Sequence, residues 1–97
     1  MATNLITSVQ NELKMNGNKL SYDFIQNLVL EGKVEHFQLT PGMRVCVITL
    51  ESGHEILGKA QVLDAANDDE KIGKDVALED AMNGVWQNVG AIAKVVM

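Results

Sequence analysis

The sequence predicts an α+β fold with N-terminal helices, a small antiparallel β-hairpin sheet, and a C-terminal helix packed on that sheet. The prediction comes from changes of period along the chain. Apolar residues follow a helical spacing in the first thirty positions, β-branched residues then run through two segments joined by a Ser-Gly turn, and the helical spacing returns in the last third. At 97 residues there is room for one hydrophobic core, so residues 1–97 are expected to form a single domain.

Two short helices are expected at the N-terminus. Thr3 or Asn4 can cap the first helix, and Asn16-Gly17 is a typical stop signal. Ser21 can cap the second helix, and Gly32 follows its last turn. Each helix has one apolar stripe, which consists of Leu5, Ile6, Val9 and Leu13 in the first and of Phe24, Ile25, Leu28 and Val29 in the second.

The middle of the chain has the pattern of β-strands. Residues 34–39 are expected to form a short edge strand that ends at a Pro-Gly turn. Residues 43–50 are apolar on both faces, which predicts a central strand that is covered on both sides. The hairpin loop Glu51-Ser52-Gly53 leads into a returning strand over residues 54–63. Gly58 in that strand indicates a bulge or a close approach of another backbone.

The last third has the clearest helical signal. Asn67 is the expected N-cap, and Glu70 three residues later completes a capping box. Gly84 and Gly90 lower the helix propensity, so a break is expected within residues 87–90. Residues 91–97 are apolar, and their pattern fits a helical extension and a strand equally well. The expected apolar face consists of Leu78, Ala81, Met82, Val85, Trp86 and Val89.

The charge distribution argues against nucleic acids and membranes as partners. Eight basic side chains oppose thirteen acidic ones, and the whole net charge of −5 lies in residues 51–97, where four lysines face nine acids. Because no Lys/Arg cluster is present, we expect no DNA or RNA and no anionic membrane surface to bind. The order helix, helix, hairpin is also typical of winged-helix DNA binders. However, the exposed positions of the second helix carry no basic residue, being Asp23, Gln26, Asn27 and Glu31.

Few residues could support catalysis or hold a metal. The single cysteine, Cys46, lies within the expected central strand, where a small buried residue is the favoured interpretation. His36 and His54 lack a ligand-type neighbour at helical spacing, and no glycine-rich phosphate loop is present. We therefore expect no enzyme activity, no catalytic residue, no metal and no cofactor. The chain lacks a signal-peptide pattern and an apolar run of membrane-spanning length, which favours the cytoplasm.

A series of short motifs extends over residues 20–97. In chain order they are Pro41-Gly42, the strand 44–50 with Cys46, Ser52-Gly53, Gly58, Ala65-Ala66-Asn67, Ile72-Gly73, residues 77–81, Trp86 and Gly90. In this order and spacing the chain resembles a family of small tailed-phage accessory proteins that are known by phage gene numbers. Residues 1–19 fall outside the resemblance. It implies an α+β protein that works in the cytoplasm of the infected bacterial host.

The hairpin-then-helix layout also looks like that of the Thoeris anti-defence sponges. Those phage proteins bind a cyclic ADP-ribose-type immune signal between subunits without cleaving it. This resemblance implies a ligand site near the start of the last helix, with the candidate residues His54, Asn67, Asp68, Lys71, Met82 and Trp86.

The chain departs from the sponge pattern at three places. The pattern has a proline before the asparagine, an aromatic residue after it and an arginine in the helix. Here Ala65 or Ala66, Asp68 and Met82 take these positions. A phosphate-bearing ligand favours cations and a stacking ring. The cations that could substitute are Lys59, Lys71, Lys74 and Lys94.

Two functions are expected from these features. The first is a non-catalytic counter-defence sponge that sequesters a cyclic nucleotide or an ADP-ribose-derived host immune signal. The alternative is an acidic inhibitor or mimic that binds a host protein through the negatively charged second half of the chain. Because so few elements leave apolar surface uncovered, a homo-oligomer is also expected. Its interface would be the first helix or the apolar stripe of residues 78–89.

Overall fold

The computed structural model describes residues 4–61 and 69–96. These residues form three helices and one antiparallel sheet, which confirms the α+β prediction. The helices are α1 (Leu5–Met15), α2 (Tyr22–Leu30) and α3 (Glu70–Val96), and the strands are β1 (Lys33–Thr40), β2 (Met43–Thr49) and β3 (Glu55–Gln61).

The two N-terminal helices begin at the caps that the sequence predicts. The Asn4 side chain accepts two backbone N–H groups of the first turn of α1, at 2.9 and 3.3 Å. Gly17 and Asn18 then reverse the chain with left-handed φ angles of 63° and 64°. Ser21 caps α2 by accepting the Phe24 N–H at 3.1 Å. Its own hydroxyl donates to Glu12 of α1 at 2.7 Å, so one cap also ties the two helices together.

The sheet has the order β1-β2-β3, so β2 is central and β1 lies at an edge, as predicted. Both hairpins are antiparallel, and the register places Cys46 opposite His36 on one side and opposite Gly58 on the other. Side chains of alternate residues therefore share a face. One face carries Cys46, Ile48, Ile56 and Ala60, which belong to the buried core together with residues of all three helices.

Helix α3 lies across this covered face. Its buried residues recur every fourth position: Gly73, Ala77, Ala81, Val85, Val89 and Ala93. The small residues of this stripe let the helix approach β3 closely, because a Cβ built on Gly58 would overlap the Ala77 carbonyl oxygen and the Ala81 nitrogen. Gly58 thus marks a close backbone approach rather than a bulge, since the β2–β3 register is regular.

The length of α3 explains the role of α1. A helix of 27 residues is about 40 Å long, whereas a seven-residue strand such as β3 covers only about 24 Å. The C-terminal half of α3 therefore extends past the sheet. Helix α1 packs on α3 there, and its Leu5, Val9 and Leu13 join the same core as Val89 and Ala93.

Two expectations about α3 need correction. The predicted break within residues 87–90 is wrong, because α3 is continuous to Val96 and burial of Val85, Val89 and Ala93 outweighs the low propensity of the glycines. The same continuity decides the open question about the tail, which is helical to Val96. The expected cap, Asn67, lies outside the described residues. The described cap is Asp69, whose carboxylate accepts the N–H groups of Lys71 and Ile72 at 3.0 and 3.2 Å.

No helix among the described residues packs on the second face of the sheet, which we call the bare face. Strand β2 itself is nevertheless well covered, as the sequence predicts, because none of its residues is exposed. Val45 is buried on this face, but it does not belong to the core that the helices form. Phe37, Leu39 and Leu57 are 48%, 62% and 64% exposed, and no element among the described residues packs over them. The alternation of apolar residues in β2 did not reveal this, because an exposed apolar face and a buried one have the same pattern.

The two stripes expected to form an oligomer interface differ in exposure. The apolar stripe of α1 is largely buried in the core of its own chain, and so are Ala81, Val85 and Val89 within the stripe of residues 78–89. The other members of that second stripe, Leu78, Met82 and Trp86, are only half-buried. Further exposed apolar side chains, those of Phe37, Leu39 and Leu57, lie on the bare face of the sheet.

Candidate functional site

Four of the six residues that the sequence places in one ligand site are described by the structure, and they lie at three different places. Met82 and Trp86 lie half-buried on α3, where they line a groove against α2. Lys71 is exposed in the first turn of α3. His54 lies at the β2–β3 hairpin tip, where its Nδ1 is 3.0 Å from the Ser52 hydroxyl, and it does not line the groove. Asn67 and Asp68 lie outside the described residues.

The groove between α2 and α3, the α2–α3 groove, is open and has a volume of about 320 Å³. It combines two aromatic rings and a thioether with two carboxylates, those of Asp75 and Glu79. No basic side chain of the described residues lines it. Its lining residues are Tyr22, Gln26, Asp75, Leu78, Glu79, Met82, Asn83 and Trp86.

A second cavity lies where the start of α3 meets β1 and β2, and we call it the α3 N-terminal cavity. Its volume is about 220 Å³. In contrast to the groove, it has two basic side chains, those of Arg44 and Lys74. The lining residues are His36, Phe37, Gln38, Arg44, Glu70 and Lys74.

The fold positions each of these side chains. The β1–β2 register places Gln38 opposite Arg44 and His36 opposite Cys46, so His36, Gln38 and Arg44 lie on the covered face of the sheet. Gly73 in α3 makes room for the arginine, because a Cβ at Gly73 would lie 2.6 Å from Arg44 Cδ. Because Gly73 has no side chain, the Arg44 side chain can pass beneath α3 at this position.

The charges at this cavity are mixed, because Arg44 and Lys74 line it together with Glu70. Lys74 Nζ is 3.1 Å from Glu70 Oε1, an i,i+4 pair that is largely solvent-exposed and therefore weak. Nδ1 of His36 is buried and has no hydrogen-bond partner within residues 4–61 and 69–96. The first turn of α3 adds its positive end to the same region. An anion could thus interact with Arg44, Lys74 and the His36 ring at one place.

Sequence analysis missed His36, Phe37 and Arg44 because their proximity depends on sheet register. Lys74 was identified only as one of four lysines that could supply a cation. The Pro41-Gly42 turn alone could not have revealed this proximity. A two-residue loop that pairs Thr40 with Met43 would, in regular continuation, pair His36 with Val47, but the register shifts between Gln38 and Thr40 and places His36 opposite Cys46.

Cys46 is fully buried, as predicted. Burial raises the pKa of its thiol above the ordinary value of 9.0. The thiol therefore stays protonated at neutral pH, and the nucleophilic thiolate form is disfavoured.

The described part of the chain has neither a metal-binding cluster nor a membrane-spanning helix. Within residues 4–61 and 69–96, no group of three or more His, Cys, Asp and Glu side chains could hold a metal ion. In the same part of the chain, no helix has the length and apolar character needed to cross a membrane.

Comparisons with known proteins support the family resemblance. No curated protein and no solved structure matches the chain. One family model matches residues 20–96, and it describes a phage protein (N4 Gp49/phage Sf6 gene 66) family. This range includes every element from α2 to α3, together with the α3 N-terminal cavity and the α2–α3 groove. The chain therefore belongs to the phage protein (N4 Gp49/phage Sf6 gene 66) family.

Proposed function

We propose that this phage protein is a non-catalytic accessory protein that sequesters an anionic, nucleotide-type host signal at the α3 N-terminal cavity. The signal would be a cyclic nucleotide or an ADP-ribose derivative, and binding would take place in the cytoplasm of the infected bacterium. One observation carries the proposal. An acidic protein gathers a guanidinium, an ammonium group and an imidazole ring around one cavity, and the imidazole Nδ1 has no hydrogen-bond partner among the described residues.

The chemistry of these groups suits a phosphate-bearing ligand. Charge-assisted hydrogen bonds from Arg and Lys to phosphate oxygens are about twice as strong as neutral ones. Phe37 points to the opposite face of the sheet, so the imidazole of His36 is the ring on the cavity side on which a base can stack. The N-terminal end of α3 adds a favourable dipole. These groups supply the cation and the ring that the sequence lacks at the positions of the sponge pattern.

The proposal keeps part of the site expected from the sequence and sets part of it aside. Lys71 lies one helical turn before Asp75 and close in sequence to Lys74, at the same end of α3 as the cavity. Met82 and Trp86 belong to the α2–α3 groove and are not part of the proposed anion site. Sequestration rather than turnover fits the buried, protonated state of Cys46.

The test is a binding panel with one paired substitution. Thermal-shift and calorimetric measurements would screen cyclic nucleotides and ADP-ribose derivatives, because a ligand that binds only the folded state raises the Tm. Lys74→Gln should weaken binding of any ligand found by about tenfold, the loss expected for one hydrogen bond to a charged group. Lys94→Gln, which removes an exposed lysine in the last turn of α3, is the matched control and should have no effect.

Chromatography of the ligand that is released when the protein is denatured by heat would distinguish sequestration from cleavage. A sponge returns the ligand intact, whereas a cleaved product would contradict the proposal. A panel in which no compound shifts the Tm, or equal weakening by Lys74→Gln and Lys94→Gln, would also reject it.

We further propose that the protein is a homo-oligomer and that its interface is the bare face of the sheet. This surface presents Phe37, Leu39 and Leu57 without a covering element in the described residues. Large exposed apolar surfaces of this kind are typical of interfaces. Light scattering at micromolar concentration should give a mass of at least twice 10.6 kDa. A monomer would contradict this proposal without affecting the anion site.

A further inference from the structure

The α2–α3 groove has a chemistry opposite to that of the α3 N-terminal cavity. We propose that it is a docking surface for a basic, amphipathic segment of a partner protein. The two functions are independent, because the groove contributes no residue to the anion site.

The negative charge of the groove favours a positively charged partner. Asp75 and Glu79 are exposed and lie one turn apart on α3. Neither carboxylate forms an ion pair with any cation in the described parts of the chain, whereas the neighbouring Lys74 is paired with Glu70. Carboxylates without a counterion attract cations and repel phosphates and acidic peptides. Lysine and arginine side chains are the cations that match them.

The apolar part of the groove provides the anchor. Trp86 and Met82 are half-buried and pack against the core, so their positions are fixed by the fold. Tyr22 is 63% exposed at the rim, and its hydroxyl accepts a hydrogen bond from Gln26 one turn later on α2. Trp and Tyr beside carboxylates can bind both the apolar stem and the charged head of a basic side chain. Aromatic residues are also the commonest hot spots of protein interfaces.

The shape of the groove favours a polypeptide over a small cation. It is open along its length, and its α3 side extends from Asp75 to Trp86, which is about 16 Å at 1.5 Å per residue. That length fits about three turns of a helix, whose apolar face would lie on Trp86 and Met82 and whose basic face would meet Asp75 and Glu79. A symmetric contact between the grooves of two copies is disfavoured, because it would bring the Asp75 and Glu79 carboxylates of both copies together.

The single tryptophan of the chain makes the test direct, since Trp86 fluorescence reports on the groove itself. The probe is a synthetic helical peptide of about three turns that carries lysine on one face and leucine on the other. It should shift the Trp86 emission at micromolar peptide, and the apparent Kd should rise with added salt. A peptide with glutamate in place of lysine should give no shift.

Substitutions then locate the binding surface. The double variant Asp75→Asn/Glu79→Gln should raise the Kd by about three- to tenfold, since two exposed charge pairs are lost. The matched control, Glu51→Gln/Glu55→Gln, removes two exposed carboxylates at the hairpin end and should leave the Kd within about twofold. Tyr22→Ala, a change at a mostly exposed side chain, should weaken binding in the same assay even if the double variant proves unstable.

Three results would overturn the proposal. The first is equal binding of the lysine and glutamate peptides. The second is equal affinity in the groove variant and the hairpin control. The third is a Trp86 emission that changes with protein concentration in the absence of peptide, which would assign the groove to a second copy of the chain.

Discussion

Replacing Gly58 by alanine tests how closely α3 packs on the sheet. The added Cβ would overlap the Ala77 carbonyl oxygen and the Ala81 nitrogen, and it would lie 2.7 Å from the Ala81 Cα. Carbon atoms in favourable contact are about 3.5–4.0 Å apart. Because all three neighbours are backbone atoms, no rotamer change can relieve the overlap. The helix must move away from β3 by about an ångström.

Two opposing effects determine the size of the loss. Alanine in place of glycine within a strand favours folding by about 0.5–1 kcal/mol, because the unfolded chain loses freedom. Overpacking a core costs about 1–3 kcal/mol, and sometimes more. Since the obstacle is rigid backbone, we take the upper end and expect a net destabilisation of about 2 kcal/mol. For a domain of this size that lowers the Tm by about 8–16 °C.

Urea denaturation and calorimetry of Gly58→Ala would measure this loss. Gly90→Ala is the matched control, because a Cβ at Gly90 meets no atom within 4 Å and the residue lies in a helix interior. It should raise the unfolding free energy by about 0.5–1 kcal/mol, the helix-propensity difference. The two substitutions add the same methyl group and should have opposite signs. A Gly58→Ala protein as stable as the wild type would refute the close approach of α3 and β3.

Further substitutions test the cap, the buried thiol and the anion site. Asp69→Ala should destabilise the protein by about 1 kcal/mol in urea denaturation, since two N–H groups at the start of α3 lose their acceptor. Burial raises the pKa of Cys46 above 9.0, so the folded state keeps a proton that the unfolded chain releases. The contribution of Cys46 to stability is therefore fully present below pH 9 and is lost as the pH rises through the folded pKa, and Cys46→Ala should remove that loss. Gly73→Ala should cost little stability, because its neighbour is the flexible Arg44 side chain, but it should weaken anion binding in the calorimetric panel.

Much of the fold could be predicted from local signals. The caps at Asn4 and Ser21, the Asn16-Gly17 stop and the Ser52-Gly53 hairpin depend on short stretches of chain, and each is confirmed. Such signals depend on the conformational preferences of a few neighbouring residues, so they can be recognised in a single sequence. The central position of β2 could also be predicted, because its apolar character exceeds that of its neighbours.

The errors arose where distant residues decide the outcome. The glycines of α3 predict a break, but α1 and the sheet bury the residues between and beyond them, and that burial keeps the helix continuous. Likewise, apolar alternation in β2 cannot say which face the helices cover. The described residues of the ligand site that the sequence predicted lie apart for the same reason. His54, Lys71 and Trp86 are close in motif order but not in space, whereas His36 and Arg44 meet only through strand pairing.

The small residues of α3 link the fold to both proposed binding surfaces. Gly73, Ala77 and Ala81 bring the first half of the helix against the sheet, and Gly73 also leaves the space through which Arg44 passes. Larger residues there would lift the helix and open the cavity between its first turn and β1. Because a helix is rigid, the same placement fixes the opposite side of α3, where Asp75 and Trp86 face α2. One stripe of small side chains therefore determines the geometry of an anion-binding cavity and of an acidic aromatic groove. Gly58→Ala should consequently perturb both surfaces, whereas Gly73→Ala should perturb the cavity alone.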